Sequence, residues 1–404
     1  MLTRRYFLRG SAVVVAGTGA VPGWLGRAAA ATEGKKKVLV AVFLRGAADG
    51  LNIVAPFTEK AYKELRPTIG IQPPGGTNGG IDLDGKFALH PQLQPLKALW
   101  DKQQFAIIEA TGSPDPSRSH FDAQDYMESG TPGKTSSDGW LNRALDPAGP
   151  QTSPLRAIAM GAQLPRTLRG DRAAVAVNDQ QTFQMGSSDT TSIFEQMYSA
   201  SGDKRLSNTG KDAFAAMKRI QSINQSAIVN QTNQLQYFQG GDLGRSLQQA
   251  ARLIKADAGV EAVFAEVNGW DHHGNEPGQM ANLLRQLSQA LTTFHQDMGD
   301  RMEDIVLVTM SEFGRTAQEN GNNGTDHGHG SLMMVLGGPI VGGKVYGKWP
   351  GLEREQLYEA RDLAVTTDFR DVLCELVSGH LGQKNLGQVF PGFTPGKPLG
   401  LLKT

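Results

Sequence analysis

The chain reads as an α/β sandwich around one mostly parallel sheet, and three features predict it. Apolar runs of strand length recur, an amphipathic helix lies between two of them, and polar residues gather where the runs end. The first run, Val38-Leu39-Val40-Ala41-Val42-Phe43-Leu44, has no polar alternation, as a strand buried on both faces requires. Similar runs lie at Phe105 to Ala110, Ala262 to Val267, Ile305 to Met310 and Leu332 to Leu336. Between the third and fourth, Gln279 to Met298 keeps Leu283, Leu284, Leu287, Leu291, Phe294 and Met298 at helical spacing, which makes a parallel βαβ unit. Leu93 to Trp100 and Phe369 to Leu381 read as further helices, so helical layers cover the sheet.

Ser199 to Gln239 departs from this rhythm, being rich in Gln, Asn and Ser. It reads as a polar helical insertion, either solvated or lying as a cap over the sheet. Thr68 to Gly85 and Ser113 to Pro150 are long connections, and such loops are usually functional or mobile. No internal repeat or clear linker divides residues 32–404, which read as one domain.

The first 31 residues stand apart. Thr3-Arg4-Arg5-Tyr6-Phe7-Leu8-Arg9, a weakly apolar run to Leu25, and Ala28 to Ala31 have the three regions of an export signal. Gly17, Gly19, Pro22, Gly23 and Gly26 argue against a structural helix there. The twin arginines resemble leaders of the Tat pathway, which implies the Tat translocase as a partner during export and a periplasmic or extracellular location. The segment holds four arginines and no acid, so the remainder has 36 basic groups against 40 acidic, a formal charge of −4. That balance, without a basic stripe, argues against nucleic acid as a partner. One cysteine excludes an internal disulfide and a Cys-rich metal site, and no later stretch is apolar enough for a stable membrane span.

Each strand runs into chemically capable residues, where open α/β sheets bind ligands. After the first comes Arg45-Gly46-Ala47-Ala48-Asp49-Gly50, in which Asp49 is a turn residue or a hard oxygen ligand. The second leads through Arg118-Ser119-His120-Phe121-Asp122 into a helix. Ser119 is either that helix's N-cap or a nucleophile placed where free amides favour an anion. The third ends in Trp270-Asp271-His272-His273-Gly274, and the fourth in Ser311-Glu312-Phe313-Gly314-Arg315-Thr316. Arg315 can hold an oxyanion or pair with Glu312. Thr325-Asp326-His327-Gly328-His329-Gly330 then enters the fifth. Five of the eight histidines fall in three of these turns, and His clustered with Asp favours a metal site.

With "RGAADGLN", "SRSHFDAQDYMESG", "GWDHHGNEPG", "SEFGRT" and "GTDHGHG" behind such a leader, the chain resembles the exported domain of unknown function 1501 family. That family is similar to the alkaline phosphatase and sulfatase superfamily, which implies an alkaline phosphatase-like three-layer sandwich with one or two metals at the strand ends. By position, Asp49 resembles the first-strand metal carboxylate, Ser119 the nucleophile, Asp271 with His273 an Asp/His ligand pair, and His327 or His329 the late histidine. One departure stands out. The Asp-His-Gly signature expected after the fourth strand is replaced by Glu312-Phe313-Gly314, while Asp326-His327-Gly328 precedes the last strand. Either one metal survives, or a second is rebuilt with Glu312 and a different His.

The sequence therefore predicts an exported, metal-dependent hydrolase of phosphate or sulfate esters acting on a small-molecule or glycan ester. Ser119 attacks, His120 (or His273) and Arg315 assist, and Asp49, Asp271, His273, Glu312, Asp326, His327 and His329 supply ligands to zinc, manganese or calcium. The alternative is a non-catalytic envelope or ligand-binding protein on the same fold with a structural or degenerate metal site. An oxidoreductase is weaker, since Cys clusters and a Gly-x-Gly-x-x-Gly turn are absent.

Overall fold

The apolar runs become strands buried along most of their length. The structure, a computed structural model, describes residues 37–76, 78–133, 136–145, 153–178, 195–196, 204–225 and 234–403. The export segment expected at 1–31 lies outside the described residues, as do 199–203 and 226–233 of the polar segment.

Among the described residues, nine strands form the main sheet: β1 (Val38–Leu44), β2 (Phe105–Gly112), β3 (Ala157–Ala159), β4 (Val175–Ala176), β5 (Ala262–Val267), β6 (Ile305–Met310), β7 (Ser331–Gly337), β8 (Lys344–Tyr346) and β9 (Thr367–Asp368). Their order is β8-β2-β7-β6-β1-β5-β3-β4, with β9 also paired to β2. Every pairing is parallel except those of β7, which is antiparallel to both β2 and β6. The mostly parallel sheet and its five long strands match the sequence reading. The short strands β3, β4, β8 and β9 were not foreseen, because two or three residues hold too little periodicity to read.

Alternation sorts the two faces. Val38, Val40, Val42 and Leu44 pack in one core with Leu284, Leu287, Leu291 and Phe294, whereas Leu39, Ala41 and Phe43 pack in another with Leu373, Leu376 and Val377. The principal helices are α1 (Gln94–Asp101), α2 (His120–Ser129), α3 (Trp140–Ala144), α4 (Lys204–Gln225), α5 (Gln234–Gln239), α6 (Gly241–Lys255), α7 (Glu276–Met298) and α8 (Phe369–Gly379). With α7 against one core and α8 against the other, the sheet is the middle of three layers. The polar segment contributes α4 and α5. It buries a narrow stripe, Ala216, Ile220, Ile223 and Tyr237, in the same core as α7.

The reversed direction of β7 has a functional consequence. The carboxyl ends of β1, β2, β5 and β6 share one edge, and Ser331, the first residue of β7, pairs with Thr111 near the end of β2. The turn before β7 therefore lies at the same edge as the turns after the others.

Candidate metal centre

Two glycines let these turns touch. Gly46, after β1, has φ of +116°, and a Cβ there would meet the backbone nitrogens of Asp271 at 2.6 Å and Trp270 at 2.9 Å. Gly314, after β6, lies so close to the Gly330 carbonyl that a side chain would collide with it. The loops after β5 and before β7 can then close on the first turn of α2.

Three imidazoles and a carboxylate converge there. His327 Nε2 lies 3.0 Å from His120 Nε2 and 3.0 Å from His273 Nε2. Asp271 Oδ1 is 3.2 Å from His327 Nε2 and 3.1 Å from His273 Nε2, while Oδ2 is 3.4 Å from His120 Nε2. Ligand atoms of His120, Asp271 and His327 all lie within 4.8 Å of one another, the spacing of a shared ion.

The far side of each ring fixes its tautomer. His120 Nδ1 faces Glu312 Oε1 at 2.8 Å, His273 Nδ1 faces Asp326 Oδ1 at 3.0 Å, and His327 Nδ1 faces the Arg118 carbonyl at 2.9 Å. These partners accept, so each Nδ1 donates and each neutral ring points an Nε2 lone pair inward. His327 has one such lone pair, yet two imidazole nitrogens approach it. A proton on one neighbour can serve one contact only, and the Asp271 oxygens add further acceptors. A cation held by His120, Asp271 and His327, with His273 beside the last two, relieves this conflict, and an outer carboxylate or carbonyl on each ring is the usual support for metal-bound histidine. The donor set of three imidazole nitrogens and one carboxylate suits zinc, iron or manganese better than calcium, which prefers oxygen.

Charge in the surrounding shell supports this arrangement. Burial opposes ionisation of Glu312, but hydrogen bonds from His120 and Gln124 hold its carboxyl below the usual range. The bond to His273 lowers Asp326. For Asp271, burial is outweighed by the Arg315 guanidinium, which keeps the carboxyl low. Glu312 in turn raises the His120 imidazole, while burial lowers that of His327.

The structure brings together Asp271, His273, His327 and His120, which the sequence suggested as a proton donor rather than a ligand. Glu312 and Asp326 stand one layer out, each behind a histidine. Arg315 donates to the carbonyls of Gly46, Ala47, Trp270 and Thr325 and to Asp271, so its buried fork is occupied and positions Asp271. Asp49 is fully buried and accepts from both terminal nitrogens, Nη1 and Nη2, of the Arg66 guanidinium, which holds its carboxyl low against the cost of burial. His329 stacks on Tyr358 with ring centroids 4.4 Å apart. His272 turns inward beside Trp270, where burial lowers it to about 4. Ser119 is the N-cap of α2, with the Asp122 amide 3.5 Å from its Oγ, one residue before His120. Arg118, beside it, is bound to Asp362 and Glu359.

Sequence reasoning missed Arg66, Gln124 and Glu276. Glu276, in the first turn of α7, takes hydrogen bonds from Asn52 and Thr325 at 2.8 Å each. Its place in "GWDHHGNEPG" was visible, but its partner Asp49 is 227 positions away in the chain.

Residues 36–384 match the model of a family described as protein of unknown function (DUF1501). Among solved structures, the chain is similar to alkaline phosphatase from the Antarctic bacterium TAB5, with 10% identity, 76% of this chain and 93% of that one covered, and a TM-score of 0.33. A protein in the alkaline phosphatase superfamily from Vibrio parahaemolyticus matches at 12% identity, 75% and 60% coverage and a TM-score of 0.31. Thermus thermophilus alkaline phosphatase matches at 16% identity, 70% and 60% coverage and a TM-score of 0.31. No curated protein matches.

Proposed function

Since the chain belongs to the DUF1501 family of proteins of unknown function, whose description assigns no reaction, we propose from the site itself an exported, metal-dependent hydrolase of phosphate or sulfate esters. The observation that carries this reading is the meeting of three Nε2 atoms and Asp271, with every Nδ1 already bound on its far side. His120, Asp271, His273 and His327 would hold the metal. When bound, the ion supplies a Lewis acid that offsets charge developing on the ester oxygens and lowers the pKa of a nearby hydroxyl.

The chain's own groups supply position. Ser119 places its hydroxyl at the N-terminus of α2, where the amides of His120 and Phe121 have no acceptor within the helix and favour an anion. Ser119 Oγ is the proposed attacking oxygen: it forms the new bond to phosphorus or sulfur as the ester bond to the alcohol oxygen breaks, its proton leaves with that alcohol, and water then cleaves the seryl ester to release phosphate or sulfate and restore the hydroxyl. A non-catalytic metal site is the second reading, favoured by the burial of Arg315 and its bonds to four carbonyls and Asp271, which turn it toward the protein rather than toward a substrate oxyanion.

The test begins with elemental analysis of protein purified without chelator or affinity metal. Stoichiometric zinc, iron or manganese, followed by ester turnover that a chelator abolishes and the same ion restores, is the expected result. Stoichiometric metal without turnover of any phosphate or sulfate ester would leave the second reading in front. Absence of metal after soaking with each ion would remove both.

A further inference from the structure

The carbonyl that orients His327 is tied to a buried carboxylate. Residues 113–119, between β2 and α2, bond largely within themselves: Ser113 Oγ takes the Asp115 amide, Asp115 Oδ1 the Ser117 amide, and Ser117 Oγ the Ser119 amide. Such local turns shape the connection without fixing it to the sheet. Arg118 fixes it. Its carbonyl accepts from His327 Nδ1 at 2.9 Å, and its guanidinium donates to Asp362 Oδ2 from Nε at 3.1 Å and from Nη2 at 2.6 Å. Ser119 and His120 follow directly, so the placement of Arg118 sets the first turn of α2.

Asp362 can hold Arg118 because its own backbone is pinned. It lies in the segment 358–366 and forms an antiparallel bridge with Thr316. The Ala317 amide donates to the Arg361 carbonyl at 3.1 Å, and the Gly330 amide to the Leu363 carbonyl at 2.8 Å. Arg361 Nη2 donates to the His327 carbonyl at 2.9 Å. One strap therefore grips both sides of the centre, the Arg118 side that leads to Ser119 and His120 and the side that carries His327.

Stability alone does not account for this carboxylate. The Asp362 side chain is 0% exposed, whereas that of Arg118 is 29% exposed and has a second partner, Glu359, at 2.7 Å. Asp362 Oδ1 is buried with no hydrogen-bond partner, and burial raises the carboxyl above its ordinary value against the pull of Arg118. A buried ion pair can cost more in desolvation than it returns in attraction, and an unmet oxygen adds to that cost. What the carboxylate gains is geometry, since two nitrogens of a rigid fork on one fixed oxygen leave Arg118 little freedom.

We propose that Asp362 is a positioning residue of the metal centre: through Arg118 it holds His327 in the tautomer that presents Nε2, and it places the turn of α2 that carries Ser119 and His120. Metal binding tests this without any substrate, whereas its effect on turnover rests on the ester-hydrolase reading.

The experiment is a double-mutant cycle on zinc affinity, read by competition with a chromogenic chelator in the full chain. Asp362→Asn and Arg118→Lys should each weaken zinc about tenfold, in the range of other outer partners of metal-bound histidine. Because both act through one contact, the double variant should be no weaker than the poorer single. The thermal midpoint of the metal-free protein should hold in Asp362→Asn, since Arg118 stays solvated and paired with Glu359. In nitrogen-15 histidine spectra of the zinc-loaded chain, the His327 Nδ1 proton should shift upfield in both singles as its bond to the Arg118 carbonyl lengthens. At saturating zinc, kcat for an ester should fall about tenfold or more with KM retained, as misplacement of Ser119 requires. Unchanged zinc affinity in both singles, losses that add in the double variant, or losses that merely track a fall in the metal-free midpoint would overturn the proposal. Coupled zinc losses in a protein that turns over no ester would support the role of Asp362 and count against the hydrolase.

Discussion

Glu312 Oε1 lies 2.8 Å from His120 Nδ1 and also receives the Gly46 amide and the Gln124 amide group, while its other oxygen takes the Ser311 hydroxyl. The carboxylate is thus fixed before it meets the imidazole, and it fixes which nitrogen His120 presents inward. Glu312→Gln keeps size and some hydrogen bonds but removes the charge. Zinc affinity, measured by competition with a chromogenic chelator, should fall roughly 10–100-fold, as with other outer partners of metal-bound histidine. Unchanged affinity would mean that Glu312 serves the fold alone.

Ser119 and Asp271 separate attack from metal binding. Ser119→Ala should lose ester turnover and keep stoichiometric metal, with about 1 kcal/mol lost from the cap of α2. Asp271→Ala should lose both, since it removes the only carboxylate among the four converging groups and an acceptor of Arg315. Turnover retained in Ser119→Ala, measured alongside metal content, would remove the nucleophile assignment.

The interior pair behind the centre predicts a pH dependence of stability. Burial first, then the Asp49 carboxylate, pushes Glu276 up to about 8 from an ordinary value of 4.5. The folded state therefore holds a proton that the unfolded state releases between those values. The resulting stabilisation is complete below the unfolded pKa and is lost as pH rises through the folded one. Thermal midpoints should decline from about pH 5 to 8 in the parent, and the slope should flatten in Glu276→Gln, which keeps a donor for Asp49. Equal slopes in the two proteins would show that Glu276 is ionised in the fold.

The long strands and the edge that gathers the histidines were legible because burial on both faces leaves an unbroken apolar run and because β5, α7 and β6 follow one another in the chain. The reversal of β7 was not legible, since an apolar run carries no sign of its direction. That reversal is what brings His327 beside His273 although Asp326 and His327 precede their strand. The histidine and aspartate letters marked the centre, but the letters alone do not rank them. Whether Asp49 is a ligand or an ion-pair partner depends on Arg66, the C-cap of the short helix Lys60–Leu65, with no sequence pattern linking the two.

That ion pair gives a stability prediction. Arg66 and Asp49 are both almost completely buried, and Arg66 also donates to the carbonyls of Thr316 and Ala317. Arg66→Met strands the Asp49 charge and should cost about 3–5 kcal/mol in denaturant unfolding. Combining it with Asp49→Leu should recover much of that loss, because the second change removes the stranded charge. A double variant as unstable as the sum of the two singles would show that the residues act independently.

Cys374 provides a test of the packing of α8. It is buried in the core with Leu373 and Val377, and burial pushes its thiol up to about 12. Alkylation requires the thiolate and access to it, and the fold denies both. Iodoacetamide at neutral pH should therefore label no cysteine in the folded protein, and metal content and turnover should not change. Labelling should appear only in denaturant, with the transition that unfolds the sheet. Rapid labelling under native conditions would mean that α8 separates from β1 and β6 in a local opening well below the global unfolding free energy.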